Sequence, residues 1–473
     1  MMQSSSEQPH RGLLRSLSLT ATFFLVISSV IGSGVYKKVA PMAAELGSPW
    51  LVLLAWAAAG IITLFGALSN AEVASMMADA GGEYVYFKRI YNRFMAFLFG
   101  WACFTVIRSA ALASIAYVFS QSVNALIPLP ALPVELASID LFGVFTPFEN
   151  FGVKVLTILL ILLLTGNNIL GVGAGERLSR YVIYLVMGSI LLTALAAFTI
   201  GGGSLANMAL TSSEHYPASL MSLSFVQHFF SAMLAAFWAY EGWSSIGYLG
   251  AEIKDANRNL PLALVMGVLC IMGLYTTINF AYLYVLPVDE IIAVHQEQNT
   301  IAAVAVVGHF LSGPGAMLMS LLILVTTFGS TNSTAMPPPR LYYAMARDGV
   351  FFKWADHIHP KFHTPSHALW MQAGWASLLV LSGSFDQLTD MLVFASFFFY
   401  AAVTAGVFIL RKREPDTPRP YRAWGYPVVP ALFILFCVIL IVVTFTTKPR
   451  EALLGVVLTC SGIPFWWYWT RQR

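Results

Sequence analysis

Charge is what this sequence has least of. Asp, Glu, Lys and Arg make up 10% of its 473 residues, while 58% are hydrophobic and 14% aromatic; soluble globular chains carry about 25% charge. So few charged side chains cannot coat that much apolar surface, which excludes a string of water-soluble domains. Cysteine is scarce too. Cys103, Cys270, Cys437 and Cys460 all sit in apolar runs, which excludes a disulfide framework or zinc spacing and reads as small packing residues. The net charge is +3 with no basic arm, so no nucleic-acid partner is expected. Residues 1 to 15 lack the small-residue cleavage site of a signal peptide, and the first apolar span is expected to stay attached. Neither His-Glu-x-x-His nor a facing pair of aspartates occurs in the apolar runs, so the expectation is no enzyme, no cofactor and no metal.

What is present is apolar runs of about twenty residues, the length a helix needs at 1.5 Å per residue to cross roughly 30 Å of hydrocarbon. Gly, Pro and charge as boundaries predict an all-α polytopic membrane protein of twelve spans. They lie near 18 to 43, 50 to 76, 94 to 127, 152 to 170, 179 to 200, 226 to 252, 261 to 286, 300 to 345, 366 to 383, 387 to 410, 428 to 446 and 451 to 469. Lys and Arg are concentrated in alternate loops: Lys88, Arg89 and Arg93; Arg177 and Arg180; Lys254 and Arg258; Arg340, Arg347, Lys353 and Lys361; Arg411, Lys412, Arg413, Arg419 and Arg422. Residues 128 to 150, 201 to 225 and 287 to 299 have none, and only Lys37, Lys38, Lys448 and Arg450 fall on that other side. By the positive-inside rule both termini are expected in the cytoplasm of a multi-pass cell-membrane protein embedded in lipid.

Two spans carry breaks at matching places. The first reads Val30-Ile31-Gly32-Ser33-Gly34-Val35-Tyr36, and the sixth reads Phe237-Trp238-Ala239-Tyr240-Glu241-Gly242-Trp243. Glycine weakens a helix, and backbone groups freed inside hydrocarbon need a partner or water. A close helix crossing also uses small residues, but Gly-interrupted spans five apart fit two inverted five-span repeats with a transport site between them. N–H groups opening a half-helix can hold a carboxylate, and carbonyls ending the preceding half accept from an ammonium, which suits an amino-acid zwitterion.

At these residues the chain resembles the amino acid, polyamine and organocation transporter superfamily. Ile31-Gly32-Ser33-Gly34-Val35-Tyr36 is similar to its Gly-Ser-Gly substrate motif, with Tyr where Phe is usual. Ala71-Glu72-Val73-Ala74-Ser75, Gly81-Gly82-Glu83-Tyr84-Val85-Tyr86, Glu252-Ile253-Lys254-Asp255 and Arg258-Asn259-Leu260-Pro261 follow in order. Ile107-Arg108, Thr327-Phe328-Gly329, Arg340-Leu341 and Ala346-Arg347-Asp348-Gly349 narrow the likeness to the L-type group, the light chains of heteromeric transporters and their prokaryotic relatives. The resemblance implies the leucine-transporter fold, alternating access, and uptake or exchange of amino acids. It divides the chain into a tail (1–17), a first repeat (18–200), a second repeat (226–410), a loop (411–427) and two closing spans (428–469). It implies that Ile31, Ser33 and Gly34 meet the substrate carboxylate, that Trp238 is an aromatic gate and that Glu241 faces the substrate side chain, with Gly32, Ala239, Tyr240, Gly242 and Arg108 also among the substrate-binding residues. Light chains use a cysteine between spans three and four to bind a heavy chain; residues 128 to 150 have none, so no disulfide-linked partner is expected. The lysine many relatives carry in span five is also missing, with Val186 near its place.

Charges in the spans leave alternatives open. Arg108 costs about 2.5–3.5 kcal/mol at the bilayer centre, so it faces protein or water, either paired with Glu72 or backbone carbonyls or serving substrate and gate. Glu241 can attract a cationic side chain, bind a proton or pair with Arg108. Glu72 reads as a solvated or structural acid. Ser330, Ser333 and Thr334, in the run Ser330 to Thr334, offer oxygen ligands for sodium, unless their hydroxyls bond back to their own helix. His357, His359, His363 and His367 are split by Pro360 and Pro365, and no metal is expected there. The rival functions are an amino-acid sensor or receptor on the same scaffold and a carrier of cationic amino acids or polyamines.

Overall fold

The computed structural model describes residues 17–77, 82–141, 145–170, 172–212, 214–217, 219–244, 253–296 and 300–471, with backbone alone over 172–183. The tail 1–16, Gly81, the last part of the sixth span (245–252, with Glu252) and the side chains of Arg177 and Arg180 lie outside the described residues.

Among them the chain is helical. Its elements are α1 (Leu19–Val30), α2 (Gly34–Lys37), α3 (Val39–Leu46), α4 (Pro49–Met76), α5 (Gly82–Ile90), α6 (Arg93–Ala102), a π-helical turn (Cys103–Ile107) and α7 (Arg108–Leu126). Then come α8 (Val134–Ala137), α9 (Phe151–Ile169), α10 (Val172–Thr199), α11 (Leu205–Ala209), α12 (Leu223–Tyr240), α13 (Ala256–Val285), α14 (Val288–Gln296) and α15 (Ala302–Ala335). The chain closes with α16 (Pro338–Arg347), α17 (Ser366–Ser382), α18 (Phe385–Arg413), α19 (Val428–Thr447), α20 (Pro449–Cys460) and α21 (Gly462–Arg471). Among the described residues nine helical stretches are long and apolar enough to cross a membrane, and Leu19–Val30 and Tyr184–Thr199 are shorter apolar helices.

Several predicted spans differ in their ends for local reasons. The seventh, expected from Pro261, starts at Ala256; a proline so near a helix N-terminus removes few backbone bonds. The eighth is interrupted at Ser312, whose φ of 54° is left-handed, just before Gly313-Pro314, and α16 follows as a separate amphipathic helix. The third span holds the π turn, one extra residue in the helical ladder that rotates everything after it.

The interior is built around the third span, Arg93–Leu126. α13 packs on α1 and α4, α12 on α3 and α4, α7 on α15, α9 and α18, and α10 on α15. Burial grades outward: 94% of the most apolar window of Arg93–Leu126 is buried, but only 17% of that of Pro449–Arg471. The innermost stretch accordingly carries small residues (Ala110, Ala111, Ala113, Ser114, Ala116) that let neighbours approach.

One end of the bundle is tied by ion pairs. Glu72, 1% exposed, accepts from Arg411 at 2.9 and 2.6 Å and from the Ala423 N–H at 2.6 Å, with Arg419 at 3.4 Å. Arg89 meets Glu414 at 2.6 Å, and its hydrogen bond holds that carboxyl below the usual range. Lys88 reaches Asp348 at 3.2 Å. Of the readings open for Glu72, it is the structural acid, and it belongs to Arg411 rather than Arg108. Removing one partner of a buried pair costs about 3–5 kcal/mol, whereas a partly exposed pair such as Arg89–Glu414 falls toward the ~0–1 kcal/mol of a surface pair. Glu72→Ala is therefore expected to lower the melting temperature in detergent sharply and Glu414→Ala to change it little; equal shifts would contradict this ranking.

Candidate functional site

Both glycine-marked breaks are present. α1 stops at Val30, Ile31 turns extended (φ −70°, ψ 105°), and helix resumes at Gly34. α12 stops at Tyr240, Glu241 is extended (φ −64°, ψ 149°) and Gly242 has φ 105°, a conformation that L side chains rarely adopt.

The two breaks touch. A Cβ on Gly242 would lie 2.1 Å from the Ser29 carbonyl oxygen, and one on Gly34 would lie 2.7 Å from Ala239 Cα. No other residue fits either position without moving backbone, so Ile31 to Gly34 and Trp238 to Gly242 form one place. Each helix end leaves carbonyls without an intrahelical donor. Tyr275 of α13 supplies one: its hydroxyl donates to Ala239 O at 3.0 Å and stands 3.4 Å from Val30 O. Tyr240 donates to Trp56 O at 3.2 Å, and the rings of Trp56, Tyr240 and Tyr275 pack behind the breaks with centroids 5.3 to 6.0 Å apart. Other polar atoms here are buried without a hydrogen-bond partner: Ser33 Oγ, Ser244 Oγ and Trp238 Nε1. Buried donors and acceptors are ordinarily satisfied, so a cluster of unmatched ones marks where a polar ligand would be held.

Glu241 carries the charge of the site. It is buried, with Arg108 Nη1 at 3.9 Å and the Tyr400 hydroxyl donating at 2.7 Å. Arg108 is the first residue after the π turn, and that turn swings it toward the α12 break. Trp243 packs on the Tyr400 ring at 5.2 Å and Phe237 on Phe397 at 4.5 Å, so α18 forms the wall beside the second break. Trp238 meets Phe385 edge to face at 6.0 Å.

The structure thus joins Ile31, Gly32, Ser33, Gly34, Trp238, Ala239, Tyr240, Glu241, Gly242 and Arg108, and decides the pairing of Arg108 in favour of Glu241. In the polar run of α15, Thr331 donates to Thr327 O at 2.7 Å and Ser333 to Gly329 O at 3.0 Å, the self-bonded arrangement. The histidine loop is more ordered than its prolines suggest: Trp354, His367 and His357 stack at 4.3 and 4.0 Å. Sequence reasoning missed Tyr275, Tyr400 and Phe385. The available signal was a tyrosine hydroxyl inside an apolar span, which needs a partner.

The sequence pattern of the family described as "Amino acid permease" matches residues 17–467. The chain is 28% identical over 465 residues to the serine/threonine exchanger SteT of Bacillus subtilis, covering 98% of both chains. It is 29% identical to the b(0,+)-type amino acid transporter 1 of Rattus norvegicus (99% of this chain, 91% of that one). It is 28% identical to the large neutral amino acids transporter small subunit 2 of Mus musculus (97% and 82%). With helices of membrane-crossing length throughout and two helices broken against each other in its interior, the chain belongs to the amino acid permease family and is a multi-pass membrane protein.

Proposed function

We propose that this chain is a secondary amino-acid exchanger that moves neutral L-amino acids with hydrogen-bonding side chains by alternating access. The observation that carries the reading is the meeting of the two breaks, with Ser33 Oγ, Ser244 Oγ and Trp238 Nε1 buried and unmatched around them. Backbone N–H groups at Gly32 to Gly34 take the α-carboxylate, and carbonyls ending α1 and α12 take the ammonium. Trp238 closes over the bound zwitterion as the gate. Five-span repeats (18–200 and 226–410) in the leucine-transporter arrangement, twelve spans in all and both termini in the cytoplasm of the cell membrane complete the reading. It is supported by the five-span offset of the breaks and the Lys/Arg asymmetry of the loops.

The side-chain end is the acid Glu241, and its charge is already matched by Arg108. A lysine or arginine substrate would add an uncompensated cation to this pocket, whereas a hydroxyl or amide can bond Glu241 or Tyr400 without changing the charge. That favours polar neutral substrates over cationic amino acids and polyamines. The name of one relative, the serine/threonine exchanger SteT, is consistent with exchange. Another, a "small subunit", implies a larger partner for that protein. The four cysteines here lie in helical segments, at Cys103, Cys270, Cys437 and Cys460, which supports a carrier without a disulfide-linked heavy chain. The scaffold-only sensor gains no observation of its own.

In a competition panel against labelled L-threonine in proteoliposomes, serine, threonine and glutamine are expected to compete and lysine and arginine not to. A hydrogen bond to a charged group contributes about 1.5–3 kcal/mol, so Glu241→Gln should shift the ratio of polar to apolar uptake by about tenfold or more. Arg108→Gln, which leaves Glu241 unmatched, should admit lysine. An unchanged panel in both variants would remove Glu241 from the site.

Exchange has its own test. Vesicles preloaded with unlabelled threonine are expected to take up label many times faster than empty ones, at the same rate in sodium and in choline buffer. Equal uptake by loaded and empty vesicles would rule out obligatory exchange; dependence on sodium would restore Ser330, Ser333 and Thr334 as ligands.

A further inference from the structure

Lys37 and Lys38 break the charge asymmetry of the loops, and the proposed site does not use them. Both are buried, at 7% and 0% exposure, and they sit at the end of the helix that restarts at Gly34, Lys37 as its last residue and Lys38 as its cap. Two adjacent ammoniums out of water repel each other and lose hydration, so strong compensation must hold them. Lys38 Nζ lies 2.6 Å from Asp386 Oδ1 and donates to Thr389 Oγ1 at 2.7 Å. Lys37 Nζ donates to Gln121 Oε1 at 2.8 Å. Both ammoniums also face one ring: Phe385, 1% exposed, has Lys37 Nζ at 4.6 Å and Lys38 Nζ at 4.7 Å from its centroid. One turn further along α18, Asp390 has Lys448 at 3.6 Å, so a second exception to the asymmetry joins the same cluster.

The Phe385 ring has one more neighbour of consequence, Trp238, which stands edge-on to it at an interplanar angle of 84°. A ring clamped by two cations cannot tilt freely, and the side chain leaning on it is fixed in turn. The clamp joins three parts of the chain: the restarted first helix gives the lysines, α18 gives Phe385 and Asp386, and α12 gives Trp238.

We propose that Phe385, held in cation–π contact with both Lys37 and Lys38 beside the Lys38–Asp386 ion pair, is a positioning residue that sets the angle at which Trp238 covers the substrate. The proposal rests on the exchanger reading for its kinetic consequence but not for the contact itself. Asp386 keeps 31% of its side chain exposed, so water can take over its half of the pair when the first helix and α18 separate, and the clamp can open and reform with each cycle. The grip acts on closure over bound substrate, so its loss should weaken apparent affinity more than it slows the cycle.

The test has two arms. In threonine exchange, Phe385→Leu and Lys38→Met are each expected to raise KM by about tenfold, the scale of a desolvated cation–π contact, with Vmax changed by less than about twofold. Phe385→Tyr, which keeps the ring, should stay near wild type. The double variant Lys38→Met with Asp386→Asn should lose less than the sum of its singles, because the two residues act as a pair. In the second arm the protein carries 5-fluorotryptophan and is read by fluorine NMR in detergent, with the Trp238 resonance identified by its loss in Trp238→Phe. Lys38→Met does not touch Trp238, yet it should shift and broaden that resonance. Melting temperature and monodispersity confirm that each variant is folded. Wild-type KM in folded Phe385→Leu and Lys38→Met, or a Trp238 resonance unmoved by Lys38→Met, would overturn the proposal. A wild-type chain that exchanges no amino acid would sink the exchanger reading alone, because the fluorine arm still decides whether the lysines hold Trp238.

Discussion

A peptide group cut loose inside hydrocarbon must find a partner, and this constraint shapes the centre of the molecule. Breaking a helix there exposes several carbonyls and N–H groups, each costing several kcal/mol if left alone. The break is tolerable because the two broken helices were placed together and backed by α13. Tyr275 donates its one hydroxyl proton to Ala239 O and stands 3.4 Å from Val30 O, and Tyr240 donates its own to the buried Trp56 O. Beside these tyrosines, Ser33 Oγ, Ser244 Oγ and Trp238 Nε1 stay buried without a hydrogen-bond partner, polar atoms of the kind a bound ligand would satisfy.

Three buried charge pairs follow a parallel rule: each joins helices far apart in the chain. Arg108 of α7 meets Glu241 beyond α12, Glu72 of α4 meets Arg411 of α18, and Lys38 meets Asp386 at the start of α18. α18 is the common partner, contributing Tyr400 to the site, Phe385 and Asp386 to the clamp and Arg411 to the opposite end. A single helix therefore touches the side-chain end of the site and both ion-pair clusters. A displacement of α18 along its axis would disturb all three together.

The membrane class, most spans and both breaks were legible because they depend on local signals: apolar length, glycine, and the sign of loop charge. The expected first span of 18 to 43 is interrupted where glycine said, and the helix of the sixth stops at Tyr240 just before Gly242, its expected end at 245 to 252 lying outside the described residues. What could not be read was pairing. Arg108 has two acids within plausible reach in the sequence, and only the three-dimensional course of α18, which brings Arg411 onto Glu72, leaves Glu241 for it. The π turn ahead of Arg108 is equally silent, since Cys103 to Ile107 has no composition that distinguishes it from ordinary helix. Lys37 and Lys38 looked like exceptions to a topological rule. They escape that rule because they are interior residues with partners on other helices, whereas the rule counts solvated loop cations.

The glycine contacts also constrain how the centre can move. Gly242 lies against the Ser29 carbonyl and Gly34 against the Ala239 backbone, both too close to admit a Cβ. Backbones interlocked at that distance in two places cannot slide past each other without first separating, and separation would strip Ala239 O of its Tyr275 donor. The two breaks therefore hold together as one unit, and the looser contacts are elsewhere. Arg89–Glu414, partly exposed on both sides, is a pair that water can replace at small cost, whereas at Lys38–Asp386 water reaches the carboxylate, which keeps about a third of its surface exposed, but not the buried ammonium.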